Sequence, residues 1–226
     1  MVSAGSSVIA VNVARVRAEL AQACQRAGRD AASVRLIAVT KSQDQGVLPH
    51  LSACGLHDFG ENRLEHLELM REQAPSDAVF HAIGRIQGRQ CAALARMCDA
   101  LHSLCDEDHI LRLERACAAI GKRLPVFLQT NVAGDPGKSG VSPEDLPRRL
   151  DLARGQAHLD VLGLMTMAPL IDGRSDAQSA RRCFAALRDC ARIHGLARLS
   201  MGMSEDAIIA VEEGATDVRI GRALFE

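Results

Sequence analysis

The sequence predicts an α/β fold: a single (β/α)₈ barrel domain over residues 1–226 with one extra helix in front of the first strand. Short apolar runs rich in Val, Ile and Leu alternate with longer segments of helical period, and the apolar runs number eight. The competing open, doubly wound sheet carries G-x-G-x-x-G after a strand, and none of the eight runs is followed by it. With 226 residues, 47% of them hydrophobic, the chain can bury one core of this size.

The first helix is predicted from about Ser7 to Ala27. Its apolar residues recur at helical spacing: Ile9, Val13, Val16, Leu20, Cys24 and Ala27. Ser7 is a candidate N-cap and Gly28 a candidate stop. The remaining elements alternate along the chain. Strands are predicted at 35–41, 57–61, 79–86, 100–105, 125–133, 159–167, 198–203 and 217–221, and helices at 45–54, 62–74, 88–98, 107–120, 143–155, 176–194 and 205–213.

Composition excludes several classes of partner. The chain has 27 basic and 28 acidic residues, so no basic excess points to nucleic acid or to an anionic membrane. Five Phe and no Trp or Tyr leave few surfaces on which bases could stack. Eight cysteines without a C-x-x-C pair indicate a reducing, cytoplasmic setting, and neither a signal peptide nor a membrane span is expected. Cys98 and His102 are four apart but span a helix-to-strand junction, so no metal site is predicted there.

The strand ends carry the unusual polar residues, and in this fold the carboxyl ends of the strands form the active site. Glu61 and Asn62 end the second predicted strand. Met203 and Ser204 end the seventh, in SMGMSED, and Ser204 is expected at a helix start, where free N–H groups favour an anion.

The eighth strand, in VRIGR, carries Arg219 and is followed by Arg222, with Gly221 where a backbone can approach a ligand closely. Each of these features alone is compatible with an ordinary cap or turn. Together, at strands seven and eight, they favour a phosphate site. The segment NVAGDPGKSG is not a Walker loop, because Val132 stands where the first glycine should be.

Lys41 ends the first predicted strand, in RLIAVTK. One interpretation is a lysine whose head reaches water at the barrel mouth. The other is a Schiff-base lysine in a low-dielectric pocket, where an unprotonated amine attacks a carbonyl. A phosphate site opposite such an amine would suit an aldehyde that carries a phosphate, such as pyridoxal 5′-phosphate or a phosphorylated sugar.

Six segments resemble the pyridoxal phosphate homeostasis proteins, relatives of the N-terminal barrel of alanine racemase. They are LIAVTKSQ, DFGENRLEHL, FHAIGRIQ, LQTNVAGDPGKSG, GLMTMAP and LSMGMSEDAIIAVEEGATDVRIGRALF, in family order from about 36 to 225. The resemblance implies pyridoxal 5′-phosphate held as a Schiff base on Lys41, with Met203 among the cofactor-binding residues. It places Ser204 and the backbone at Gly221 and Arg222 on the phosphate.

The resemblance also implies that Arg219 faces the pyridine nitrogen and that Asn62 and His81 line the pocket, although His81 also fits a core position. An arginine there stays cationic and disfavours a protonated ring, which is then a poorer electron sink. The racemase relatives use a tyrosine from a second domain as the opposite acid or base, and this sequence has no tyrosine.

The implied role is therefore intracellular cofactor and amino-acid homeostasis with little or no turnover, possible recipients being apo-enzymes that use the cofactor. The alternatives are a weak amino-acid racemase, an aldolase, or a regulatory protein whose surface other proteins read. A monomer is the default expectation. The chain departs from the family pattern at Arg222, where Thr or Ser is usual, and at Arg89 and Gln90 in IQGRQ.

Overall fold

The computed structural model describes residues 5–135, 137, 139–171 and 174–226. Its strands are β1 (Arg35–Val39), β2 (Asp58–Glu61), β3 (Val79–Ala82), β4 (Ala100–Leu104), β5 (Leu124–Gln129), β6 (Leu159–Met165), β7 (Leu170–Ile171), β8 (Arg174–Ser175), β9 (Arg198–Ser200) and β10 (Asp217–Ile220). Within the described residues, eight of them close a parallel barrel in the order β1-β10-β9-β6-β5-β4-β3-β2. The predicted barrel is confirmed, and β9 and β10 are its seventh and eighth strands.

The helices alternate with the barrel strands as predicted. They are α1 (Ser6–Arg26), α2 (Val47–Ala53), α3 (Leu64–Glu72), α4 (Cys91–Met97), α5 (Glu107–Ala118), α6 (Leu146–Arg154), α7 (Ala177–Ile193), α8 (Ala207–Glu212) and α9 (Arg222–Phe225). Short 3₁₀ turns precede β1 and α4, at Ala31–Ser33 and Gly88–Gln90. In the described part of the chain, no helix has both the length and the apolar character to cross a membrane.

The extra N-terminal helix α1 packs against the barrel with the apolar stripe that its sequence predicts, and most of that stripe is buried. The predicted N-cap is wrong: the helix begins at Ser6 with Gly5 at the cap position and no side-chain cap. The predicted stop is confirmed, since Gly28 has a φ of 65°, which favours glycine. Asn12 Nδ2 ties α1 to the end of the chain through the carbonyl oxygens of Leu224 and Glu226, at 3.3 and 3.0 Å.

Several strands end earlier than their apolar runs. The runs at 79–86, 125–133 and 198–203 become strands that stop at Ala82, Gln129 and Ser200. An apolar run marks buried residues and not strand hydrogen bonds, and the chain stays buried as it bends over the barrel mouth after each strand ends. Met201, for example, is fully buried beyond the end of β9. The sequence also did not predict the two-residue hairpin of β7 and β8 or the short helix α9.

The buried part of the molecule consists of an apolar layer and a set of polar side chains. Between the strands and the helices lies an apolar layer, with Phe59, Phe80 and Phe184 among its fully buried side chains. Other buried positions along the strands are polar or charged: Thr40, Glu61, His81, His102, Ser200, Asp217 and Arg219. Buried groups of this kind need partners, and their hydrogen bonds organise the candidate site.

Candidate functional site

Lys41 follows β1 at the mouth of the barrel, in a turn that leads to α2. Its side chain is exposed, as in the interpretation of a lysine whose head reaches water, and the structure does not enclose the amine in a low-dielectric pocket. Among the described residues, no hydrogen bond or ion pair holds its Nζ. The amine is therefore free to meet a ligand that enters at this end.

Gly221 directly follows the neighbouring strand β10 and lies beside the end of β1. The register pairs Ala38 with Ile220, and a Cβ added at Gly221 would lie 3.4 Å from the carbonyl oxygen of Val39. The backbone of Gly221 therefore borders the strand that leads into Lys41. The two features that the sequence assigned to strands one and eight are neighbours in space.

Ser204 joins the seventh strand end to the eighth. Its Oγ accepts from the N–H groups of Gly221 and Ala223, at 3.3 and 3.4 Å. Both distances are longer than the usual 2.9–3.0 Å for such bonds. These two N–H groups converge on one point above the barrel, as an anion site requires.

The predicted position of Ser204 at a helix start is wrong. Helix α8 begins at Ala207 with Asp206 at its N-cap position, and Ser204 lies in the turn before it. The Asp206 carboxylate accepts from the N–H of Met203 at 2.6 Å. Burial raises the pKa of Asp206, while that hydrogen bond and the nearby Arg219 act to lower it. Asp206 thus holds the turn that presents Ser204.

Arg219 lies on β10 inside the barrel and is 4% exposed. Its Nη1 donates to Ser200 Oγ at 2.5 Å, and its Nη2 donates to the carbonyl oxygen of Thr166 at 3.1 Å. Burial lowers the pKa of Arg219 to about 10, against the fields of Asp206 and Asp217, which raise it. The guanidinium is therefore cationic at neutral pH and fixed by two neighbouring strand ends.

A chain of buried polar groups continues from Ser200 across the barrel. Ser200 Oγ lies 2.7 Å from His102 Nδ1, and His102 Nε2 lies 2.9 Å from His81 Nδ1. His81 Nε2 in turn lies 2.8 Å from Asp58 Oδ1, at the start of β2. This relay, defined as Arg219, Ser200, His102, His81 and Asp58, connects the site to the opposite end of the barrel.

The two ends of the relay have fixed directions. Arg219 donates to Ser200, because a guanidinium can only donate, and His81 donates from Nε2 to the Asp58 carboxylate, which accepts. The two inner bonds, Ser200 to His102 and His102 to His81, each carry one proton, and either direction satisfies both ends because a hydroxyl can accept twice. Burial lowers the pKa of His102 well below its usual value, with His81 and Arg219 adding to the shift.

The resemblance implied that His81 lines the pocket, with a core position as the alternative. In the structure it is 1% exposed and both of its ring nitrogens have protein partners. This arrangement matches the core interpretation, and the relay is the route by which His81 can act on the site. Asp58 anchors its far end. Burial acts to raise the pKa of Asp58, but the His81 hydrogen bond and the fields of Arg35 and Arg198 outweigh it and lower the pKa.

Asn62 lies directly after β2 with an exposed side chain, beside a cleft of about 260 Å³. The cleft lies between the ends of β2 and β3, and Arg63, Arg85 and Arg89 are among the residues around it. The Asn62 backbone packs against Gly84, where an added Cβ would lie 2.0 Å from the Asn62 carbonyl oxygen. Asn62 is therefore fixed through its main chain.

Arg222, the departure from the family pattern, opens α9. Its side chain is 65% exposed, and its Nη2 donates to Glu205 in the turn beside Ser204. The guanidinium therefore spans the turns after β9 and β10 on their outer side. Its charge is paired with Glu205 and does not point into the barrel.

Sequence reasoning gave no role to Ser200, His102 and Asp58. A signal was present, because polar residues inside strands of a buried barrel require partners. Which of them pair depends on ring closure, since Ser200 and His102 are 98 residues apart.

Fold and site together define a class: (β/α)₈ barrels of the alanine racemase type, with a lysine after the first strand and two N–H groups that converge on Ser204 between the seventh and eighth strands. Residues 11–226 match the family described as alanine racemase, N-terminal domain. The chain is 40% identical over 222 residues to the pyridoxal phosphate homeostasis protein of Pseudomonas aeruginosa, which covers 97% of this chain and 95% of that one. It is 34% identical over 217 residues to the protein of that name from Aquifex aeolicus, covering 94% and 95%. The chain belongs to the pyridoxal phosphate homeostasis protein family.

Solved structures agree with this assignment. PipY of Synechococcus elongatus with PLP bound superposes with a TM-score of 0.85 at 30% identity, covering 96% of this chain and all of that one. Alanine racemase of Corynebacterium glutamicum superposes with a TM-score of 0.71 at 21% identity. That match covers 98% of this chain but 60% of the racemase, and it shows the shared barrel alone.

Proposed function

We propose that this protein binds pyridoxal 5′-phosphate as a Schiff base on Lys41 and acts in cofactor and amino-acid homeostasis with little or no turnover. The observation that carries the proposal is the placement of three groups on adjacent strands. An exposed amine follows β1, a buried cation lies on β10, and two N–H groups converge on Ser204 between the ends of β9 and β10. The PLP-bound neighbour supports the same ligand.

The residues present fit this cofactor. Among the described residues, the N–H groups of Gly221 and Ala223 donate only to Ser204, over long distances, so a phosphate oxygen can replace that contact. Ser204 adds a hydroxyl donor, which it carries alongside its acceptor lone pairs. Met203 and Asn62 border the same end of the barrel through the turns that carry them. Arg222 stays with Glu205 on the outer side of the phosphate position.

When bound, pyridoxal phosphate supplies an aldehyde carbon that an unprotonated lysine amine attacks, with loss of water. Lys41 is exposed and has no partner in the described part of the chain, so it can reach such a carbonyl. Arg219 would face the ring nitrogen as a donor that cannot accept a proton. Held by Ser200 and Thr166, it keeps the ring nitrogen unprotonated and the ring a weak electron sink.

Limited turnover follows from the same residues. The 226 residues contain no tyrosine to act as a second acid or base opposite Lys41. The relay behind Arg219 holds this cation in place, and Arg219, which keeps its protons, is the relay group that would face the ring nitrogen. A weak amino-acid racemase is the alternative. Monomeric state, a cytoplasmic location and release of the cofactor to apo-enzymes complete the proposal.

Absorbance spectroscopy tests the binding. The wild-type protein incubated with pyridoxal phosphate should become yellow, and borohydride should bleach the band and add the cofactor mass to the peptide that contains Lys41. Lys41→Arg keeps the positive charge but cannot form the bond, so both signals should vanish. Lys122→Arg is the matched control, since Lys122 bonds to the carbonyl oxygen of Cys98 away from the site. A colourless wild type, or a yellow Lys41→Arg variant, would refute the proposal.

A further inference from the structure

The extra helix α1 stands outside the strand–helix alternation of the barrel, and the proposed site uses none of its residues. It packs against α9, the four-residue helix whose Ala223 N–H donates to Ser204. A helix this short is not stable through its own hydrogen bonds, because helix nucleation is costly, so its order depends on tertiary contacts. The contacts that hold α9 therefore also hold an N–H group of the proposed phosphate position.

Two side chains of α1 bind the carbonyl oxygens of α9 and of the residue that follows it. Arg15 Nη2 donates to the carbonyl oxygen of Ala223 at 2.9 Å. Asn12 is 8% exposed, and its Nδ2 donates to the carbonyl oxygens of Leu224 and Glu226 at 3.3 and 3.0 Å. The last carbonyl groups of a helix have no acceptor role inside it, so Arg15 and Asn12 supply the donors that α9 lacks.

The other end of α1 holds α8, the helix that follows the seventh strand. Arg26 Nε donates to the Glu212 carboxylate at 2.8 Å. Arg29, just beyond α1, donates from Nη1 to the carbonyl oxygen of Val211 and from Nη2 to that of Ala215, each at 2.8 Å. Helix α1 thus bridges the helices that follow the seventh and eighth strands, and the proposed phosphate position lies between the ends of those strands.

We infer that Asn12 and Arg15 are positioning residues for the cofactor phosphate: they fix α9 so that the N–H groups of Gly221 and Ala223 stay directed at one point. Donors that are already oriented do not have to be ordered when an anion arrives, so binding loses less free energy. Both side chains contact carbonyl oxygens and act on the N–H groups only through the backbone of α9. The inference rests on the proposed function, because it gives α1 a role in phosphate binding.

Arg17 offers a matched control on the same helix. Its Nη1 and Nη2 donate to the carbonyl oxygens of Cys54 and Gly55 at 2.6 and 2.8 Å, at the end of α2. Its side chain is exposed like that of Arg15, and it likewise ties α1 to backbone carbonyl groups. Because α2 carries no group of the proposed phosphate position, Arg17→Ala loosens α1 without loosening α9.

The test compares pyridoxal phosphate with pyridoxal, the same aldehyde without the phosphate, by absorbance titration. Asn12→Ala should raise the Kd for pyridoxal phosphate about fivefold or more, and Arg15→Ala about threefold, because carbonyl groups of α9 lose their donors. The Kd for pyridoxal should stay within about twofold of wild type, since pyridoxal has no anion for α9 to hold. Arg15→Lys, which can still donate to Ala223, should restore tight binding. Arg17→Ala should leave both Kd values within about twofold of wild type.

An unchanged Kd for pyridoxal phosphate in Asn12→Ala would overturn the inference. An equal rise for pyridoxal, or a rise in Arg17→Ala that matches the one in Asn12→Ala, would overturn it too. Arg15→Ala gives the same comparison if the buried Asn12 cannot be replaced without unfolding, since the Arg15 side chain is exposed.

Amide hydrogen exchange of residues 221–226 in the cofactor-free protein separates this inference from the Schiff base. Inorganic phosphate should slow the exchange in the wild type and in Arg17→Ala, and Asn12→Ala should need about fivefold more phosphate for the same protection. A wild type that stays colourless with pyridoxal phosphate but shows this pattern would refute the proposed function and leave the role of Asn12 in place. No protection by phosphate in the wild type, or equal protection in Asn12→Ala, would refute that role.

Discussion

Arg219 Nη1 donates to Ser200 Oγ across 2.5 Å, and this bond joins the cation to the relay behind it. From Ser200 the relay continues through His102 and His81 to Asp58. The cation near the proposed ring nitrogen is therefore oriented by a hydrogen-bonded chain that crosses the barrel. Its environment can be altered from positions that never touch the ligand.

Ser200→Ala should loosen Arg219. A buried charged donor left without its acceptor costs about 1–3 kcal/mol, so the unfolding free energy should fall by that amount. The visible absorbance maximum of the cofactor-loaded protein should also shift, because the guanidinium loses its fixed orientation. Denaturant unfolding and absorbance spectra measure the two effects. Ser52→Ala is the control: Ser52 Oγ is buried without a partner among the described residues, so its loss should be close to neutral. Equal effects of the two substitutions would contradict the relay.

Acid should destabilise the protein through His102. Its pKa in the folded state is depressed, chiefly by burial, so the unfolded state binds the proton first as the pH falls below about 6.5. Stability should therefore fall with pH below that point, with a contribution of about 1.4 kcal/mol per pH unit from this residue. His102→Gln should be less stable at pH 7 but have a shallower slope between about pH 6 and 4.5. His194→Gln, at the end of α7, is the control, and an unaltered slope in His102→Gln would count against this assignment.

The proposed phosphate position predicts different effects on binding for two polar residues on neighbouring turns. Ser204→Ala removes a hydroxyl that faces two N–H groups, and the Kd for pyridoxal phosphate should rise about tenfold or more, as for a hydrogen bond to a charged group. Arg222→Ala removes an exposed cation that is already paired with Glu205, and the Kd should change less than about fivefold. Equilibrium dialysis or fluorescence titration gives both values. The reverse order would place Arg222, and not Ser204, on the phosphate.

Gly84 should not tolerate a side chain. A Cβ there would lie 2.0 Å from the carbonyl oxygen of Asn62, a backbone atom that cannot swing away. Gly84→Ala should lower the unfolding free energy by about 1–3 kcal/mol and displace Asn62. Gly88→Ala, in the same segment between β3 and α4, is the control. Its Cβ would have as its nearest neighbours the flexible side chains of Arg112, at 3.4 Å, and Asp108. Thermal unfolding of both variants decides the matter, and similar melting temperatures would argue against the close packing.

Much of the fold was predictable because burial periodicity is local. The eight apolar runs gave the barrel, and Lys41, Ser204, Arg219 and Gly221 could be placed at strand ends from the strand assignments alone. Element ends were less accurate, since apolar side chains remain buried where the strand ladder has already stopped. Met201 beyond β9 is an instance.

The sequence by itself determined the order of strands and helices, the residues at the strand ends and the family. Only the tertiary structure decided which polar residues meet. Asn12 and Leu224 are 212 residues apart and meet only because α1 packs against α9. Ser200 meets His102 only because the closed barrel brings distant strands to one interior. Hydrogen bonds act over about 3 Å, so such pairings are fixed by packing and not by local sequence.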